Sequence, residues 1–250
     1  MRGAGPVPPV DPEGGGMTTD TVSRPLRQGQ AHKRAAILTA ARELFGAAGV
    51  ERTSMDAVAQ RAGVSKRTVY DYYGDKRGLL LGTIEDAGEA ALATLRRLIA
   101  EHLGDDADIR GSAGLERALG AFAADLGTSL LASSDYRAVV TLIAENEPLL
   151  PELEDHPLDA AHAHALTERI RSLAAAGLVD VDDPALAAEH FVALTILRVL
   201  NEPPSRRSDT RRIRQIMSDG TRAFLRAYAA RPGESAAPSG AIRPTMEDTP

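Results

Sequence analysis

Between Gly63 and Leu80 the chain reads GVSKRTVYDYYGDKRGLL, with four cations (Lys66, Arg67, Lys76, Arg77) and three tyrosines (Tyr70, Tyr72, Tyr73) around a short apolar rhythm. Ammonium and guanidinium groups pair with phosphate oxygens, and hydroxyls donate to them. Arginine and lysine also read guanine edges, and small hydroxyl side chains meet bases or backbone. The chemistry available here is therefore contact with a polyanion. Bond-making chemistry has no comparable constellation. The sequence carries no Gly-rich phosphate loop, nucleophile elbow or metalloprotease motif. Glu145 and Glu147 are close together, but they fall in a Pro-rich break where nothing makes them a catalytic dyad. The chain reads as no enzyme.

These side chains are presented by a helix, a turn and a second helix. The first strong helix is AHKRAAILTAARELFGAAGV, where Ile37, Leu38, Ala41, Leu44, Phe45 and Ala48 recur on one face and Gly49 supplies a stop. A second helix opens at Thr53–Ser54, with Thr53 as a cap and Asp56 near its positive end. Gly63 makes a turn, and Ser65 caps a short third helix running to about Asp71. Gly74–Asp75 then breaks and recaps the chain before a long helix from about Lys76 to His102. This is helix-turn-helix spacing, in which the first turns of the short helix meet base edges in a major groove. Ser65, Lys66, Arg67, Thr68 and Tyr70 are expected to project outward, and Val69 and Tyr73 to pack inward. Thr53 and Ser54 open a helix whose free N–H groups suit a phosphate, and Lys76 opens another. The bland reading is a charged helical hairpin with no role on DNA.

Charge is segregated in the same sense. The net charge is −6, yet Arg24 to Leu80 holds eleven cations against five acids and all three lysines of the chain. That segment carries +6, and the remainder carries −12. A basic module on an acidic body fits a protein that offers one end to nucleic acid.

The run TSMDAVAQRAGVSKRTVYDYYGDKRGLL after ILTAARELFGAAGV resembles the N-terminal domain of TetR-family transcriptional regulators over about residues 31–80. The Ala62–Ser65 turn, the Thr68–Tyr70 run and the Tyr73–Lys76 junction carry the likeness. The resemblance implies an all-helical homodimer in which three helices bind double-stranded operator DNA and a larger domain dimerises and holds a small-molecule effector. By position, Thr53, Tyr70, Tyr72 and Lys76 would contact phosphates, while Ser65, Lys66, Arg67 and Thr68 would meet base edges or nearby backbone. Two residues depart from the family's habit. Arg67 stands where a small residue is common and could read guanine or hold a phosphate. Tyr73 replaces a usual phenylalanine, so its hydroxyl needs a partner or an exit to solvent.

The expected organisation is a disordered arm over 1–30, the helix-turn-helix domain over 31–80, an effector-binding and dimerisation domain over 81–230 and a disordered tail over 231–250, with about nine helices and no strands. Met17, after a Gly triplet, is an alternative start. The cations Arg24, Arg27, Lys33 and Arg34, with His32, form an arm that either enters a minor groove or attracts DNA weakly and without specificity. In the larger domain, Leu95, Leu98, Phe122, Leu126, Tyr136, Val140, Ile143, His162 and Leu166 are candidates for an apolar effector cavity. Phe191, Leu194, Leu197, Ile213, Ile216, Met217, Gly220, Phe224 and Tyr228 form stripes on the last two helices, readable as a four-helix dimer interface or as intramolecular core. His102, His156, His162 and His164 have no cysteine beside them, and His162 and His164 point to different faces, so no metal and no cofactor are expected. Without an apolar run near 20 residues or a secretory signal, the protein is expected in the cytoplasm. A ligand-released repressor on a palindromic operator is the leading reading. Its rivals are an activator with the same module, and a small-molecule-binding helical dimer without specific DNA binding.

Overall fold

The computed structural model describes residues 20–146, 150–153, 157–203 and 205–230, and the fold is all-α. Among the described residues ten α-helices follow one another: α1 (Asp20–Ala48), α2 (Met55–Ala62), α3 (Lys66–Tyr73), α4 (Lys76–Leu103), α5 (Gly111–Leu126), α6 (Ser134–Asn146), α7 (Pro157–Ala175), α8 (Pro184–Leu194), α9 (Ile196–Leu200) and α10 (Thr210–Tyr228). A π-helical turn, Gly127–Leu131, extends α5. The one extended pairing among these residues is an isolated bridge between Val179 and Ala229. No helix among them is long and apolar enough to cross a membrane. The arm before residue 20, Met17, Glu147, His156 and the tail from residue 231 lie outside the described residues.

Two sequence expectations need correction. The arm does not run to residue 30, because α1 begins at Asp20 and carries Arg24, Arg27, Lys33 and Arg34. Pro25 and Gly29, residue types that weaken a helix interior, lie within it. The stretch 184–200, expected as one helix, is two helices broken at Thr195, whose backbone turns to φ −120 and ψ −78. The Thr195 hydroxyl donates to the Phe191 carbonyl at 2.5 Å within this break. Gly220 of α10 lies directly against it: a Cβ there would stand 2.1 Å from the Leu194 carbonyl oxygen.

Helices α1–α3 and the start of α4 form a compact head. Ile37, Leu38, Ala41 and Phe45 meet Met55, Val58, Val69, Leu79 and Leu80 in its core. The head's ends are closed locally. Gly49 (φ 83) and Gly63 (φ 66) take left-handed turns after α1 and α2. The cap of α2 is Ser54, whose oxygen accepts from Ala57 N at 3.1 Å; Thr53, expected as the cap, is not used so. Ser65 caps α3 by accepting from Thr68 N at 3.0 Å, and Asp75 caps α4 by accepting from Gly78 N at 2.7 Å. Such caps satisfy N–H groups that the helix cannot, each by about 1 kcal/mol.

The larger body buries Leu95, Leu98, Phe122, Phe191, Ile216, Met217 and Phe224, with Phe191 and Phe224 edge-to-face at 5.4 Å. Head and body share α4. They also share α6, since Val139 and Leu142 enter the head's core. Arg42 of α1 reaches both, donating to Asp86 of α4 at 3.3 Å and to Asp135 of α6 at 3.1 Å.

Candidate nucleic-acid interface and ligand cavity

The outward side of α3 carries the residues whose chemistry suits DNA. Lys66 and Arg67 are exposed, and Tyr70 and Tyr72 are the exposed aromatics at 41% and 38%. Each cation arrives with an acid. Lys66 Nζ lies 2.9 Å from the Asp56 carboxylate and 5.9 Å from the centre of the Tyr70 ring. That carboxylate raises the Lys66 ammonium above its ordinary range. Arg67 lies 3.6 Å from Asp71, one helical turn on. Surface pairs of this kind are worth little, so phosphate can displace the carboxylates. Ser65 and Thr68 share a hydrogen bond at 2.8 Å. Ser54 is exposed at the start of α2.

Of the expected phosphate contacts, Thr53 is turned away from DNA, while Lys76 and Tyr72 each hold one hydrogen bond within the head. Thr53 is 5% exposed, its hydroxyl donates to Gly49 O at 2.8 Å, and its N–H donates to Val50 O. It locks the α1–α2 turn and has no free donor for DNA. Lys76 donates to Glu51 O at 2.9 Å, which ties α4 to the same turn. The Tyr72 hydroxyl donates to Gln30 O at 3.3 Å. Tyr73 turns inward as expected. Its hydroxyl is shielded from water and makes no well-formed hydrogen bond; Arg34 is the charge beside it. Burial pushes this phenol up, and the Arg34 guanidinium works against that.

Behind the head the body holds a cavity of about 870 Å³ that is partly open to solvent. Of the nine candidates, Leu95, Leu126, Tyr136, Val140, Ile143, His162 and Leu166 line it. Leu98 and Phe122 do not. They are 1% and 0% exposed and fill the body's core. The periodicity of α8 had pointed elsewhere, and its contribution was missed: Ala185, Ala188, Glu189, Val192 and Ala193 form one wall with Leu197. So were Glu85, Gly88 and Ala91 of α4. The usable signal is the density of small residues, which leave space between helices. Ile84 and Val139 stand at the cavity wall and in the head's core at once.

The stripe residues of the last helices are mostly internal. Phe191, Ile213, Ile216, Met217 and Phe224 are 2% exposed or less, and Gly220 is buried against the α8–α9 break. They are core of one chain. Leu194 and Tyr228 are half-buried, with the Tyr228 hydroxyl against His190 Nδ1. Leu186 and Leu197, at 45% and 46%, are the exposed large aliphatics among the described residues.

Glu101, His102 and Asp125 bring three possible metal donors within 4.8 Å. Each already has a partner: His102 Nε2 lies 2.8 Å from Asp125, and Arg97 donates to Glu101 at 2.9 Å.

A helix-turn-helix head on a hollow helical body defines a class of DNA-binding transcriptional regulators. Residues 37–83 match the profile described as bacterial regulatory proteins, tetR family, and residues 117–230 that described as AefR-like transcriptional repressor, C-terminal domain. The chain belongs to the TetR family of transcriptional regulators, which are regulatory proteins and not enzymes. No curated protein matches it. Among solved structures it is similar to a TetR-family transcriptional regulator from Mesorhizobium loti (22% identity, 80% of this chain and 98% of that one, TM-score 0.66). It is also similar to the flavonoid-responsive regulator FrrA (29% identity, 81% and 100%, TM-score 0.54). A third likeness is to SmeT, repressor of the Stenotrophomonas maltophilia multidrug efflux pump SmeDEF (22% identity, 85% and 97%, TM-score 0.54).

Proposed function

We propose that this protein is a ligand-responsive repressor. A homodimer sets two copies of α3 in successive major grooves of a palindromic operator, about 34–36 Å apart. A small hydrophobic effector in the body's cavity loosens that grip. The carrying observation is the double membership of Ile84 and Val139, which line the cavity and belong to the head's core. A ligand that moves either side chain must repack the head, because close-packed cores transmit strain. A coupling of about 1–3 kcal/mol lowers operator affinity about 5–150-fold. FrrA, described as flavonoid-responsive, and SmeT, described as a pump repressor and solved with triclosan, support an effector of this kind.

On this reading Lys66, Arg67 and Thr68 face bases, with Ser65 holding their helix. Tyr70, Tyr72, Ser54 and Lys76 line the backbone. Fluorescence anisotropy with the DNA upstream of the protein's own gene tests it. The wild type should prefer that duplex over random sequence at moderate salt, and Lys66→Ala with Tyr70→Ala should abolish the preference. Equal binding to both duplexes would end the proposal.

A further inference from the structure

The polar groups of the cavity wall have a sign. Among its described lining residues the ionisable groups are Glu85, Glu189, His162 and His190; the neutral polar ones are Tyr136 and Thr167, and there is no lysine or arginine. The rest of the wall is aliphatic or alanine and glycine. Eighteen of the twenty-nine cations lie outside Arg24–Leu80, yet none is among the described lining residues. Outside the segment Arg24–Leu80 the residues carry a net −12, and that charge adds a long-range field of the same sign.

A charge entering an apolar cavity loses its hydration and needs a counter-charge inside. An anionic effector would find none in arginine or lysine here and would meet two carboxylates. A cation would meet Glu85 on α4 and Glu189 on α8, with the aliphatic wall covering its apolar part. Glu189 is exposed, and so are Ala193 and Leu197 beside it on the wall, which puts an acid at the cavity mouth.

We propose that the cavity selects lipophilic cations, amphiphiles with an ammonium or comparable positive group, and discriminates against lipophilic anions. This rests on the reading of the cavity as the effector site. Glu85 pairs with the bound charge from the helix that also enters the head, and Glu189 steers it at the mouth.

The test uses a matched pair of probes, 6-phenylhexylamine and 6-phenylhexanoate, whose apolar parts are the same and whose charges are opposite at pH 7. Calorimetric titration of the full chain should give the amine about tenfold or more tighter binding than the acid. Glu85→Gln together with Glu189→Gln should bring the two affinities toward parity while leaving the fold, followed by circular dichroism, unchanged. The single Glu189→Gln variant keeps the comparison available if Glu85→Gln disturbs folding, and it should lower the ratio alone. Equal or tighter binding of the acid overturns the proposal, as does no binding of the amine or a ratio unmoved in both variants. Gly88→Leu, which fills the cavity, separates this from the wider reading. If it blocks the acid while the acid binds best, the cavity is a ligand site with the wrong sign assigned. If it leaves amine binding intact, the cavity is not the site.

Discussion

Arg42 of α1 donates to Asp135 of α6 at 3.1 Å, joining residues 93 positions apart across the junction of head and body. The same guanidinium holds Asp86 of α4. The neighbour of Asp135 in sequence is Tyr136, a cavity residue. One side chain thus fastens the head to both helices that the cavity shares with it. Arg42→Met keeps the stem and removes the charge. It should cost about 1 kcal/mol of stability, because both acids remain partly hydrated. Its larger effect should be on coupling: the ratio of operator affinities without and with ligand should fall severalfold. Anisotropy titrations at two ligand concentrations measure this. An unchanged ratio would remove Arg42 from the linkage.

Tyr73 lies with its ring across Gly82, where an added Cβ would stand 2.7 Å from Cε1. Gly82 is therefore a seat for α3 on α4, which runs from Lys76 to Leu103. Gly82→Ala should push the ring aside. Overpacking costs about 1–3 kcal/mol, partly offset by about 1 kcal/mol of helix propensity. Urea denaturation should show a net loss, and operator affinity should drop with it. Gains in both would mean that the ring yields freely.

The shielded Tyr73 hydroxyl gives the opposite expectation. Tyr73→Phe removes a polar atom without a well-formed partner and keeps the ring on Gly82. Stability should rise by about 1 kcal/mol, with operator binding preserved. Thermal unfolding checks the sign; a clear loss would show that the contact with Arg34 matters to the fold.

Gly220→Ala separates core from interface. The Leu194 carbonyl that would meet the new methyl is backbone and has little room to move. A loss of about 2–3 kcal/mol is expected, since strain of this kind exceeds the propensity gain. Light scattering should show the oligomeric state unchanged wherever the variant is folded. A folded monomer would return Gly220 to the interface.

Leu186 is exposed on α8 and does not line the cavity. If copies associate through α8, Leu186→Lys should give monomers by light scattering and weaken operator binding. Ile216→Ala, at a core position, should instead cost about 2–5 kcal/mol without a specific effect on association. A dimeric Leu186→Lys variant would place the contact elsewhere.

The head was legible because its information is local. Ser65, Asp75, Gly63 and the inward positions of Val69 and Tyr73 each fix a feature within a few residues. Thr53 and Ser54 differ by one position, and both can cap; only the α1–α2 turn, which claims the Thr53 hydroxyl, decides between them. The stripe on α10 was correctly apolar, but amphipathicity does not say which helix will cover it, and here α5, α8 and α9 of the same chain do. The cavity was half legible. Large residues such as Leu95 and Ile143 announce a wall, whereas the space itself comes from alanines and glycines that periodicity ignores.

The unbroken course of α1 from Asp20 has a consequence for the cations near its start. A wound backbone with its side chains is a rod about 10–12 Å thick, and the minor groove is about 6 Å wide. Such a rod cannot slip in as a threaded peptide would. While this stretch keeps its coil, Lys33 and Arg34 would be held to the sugar–phosphate ridges of a bound duplex, where they would add grip common to all sequences.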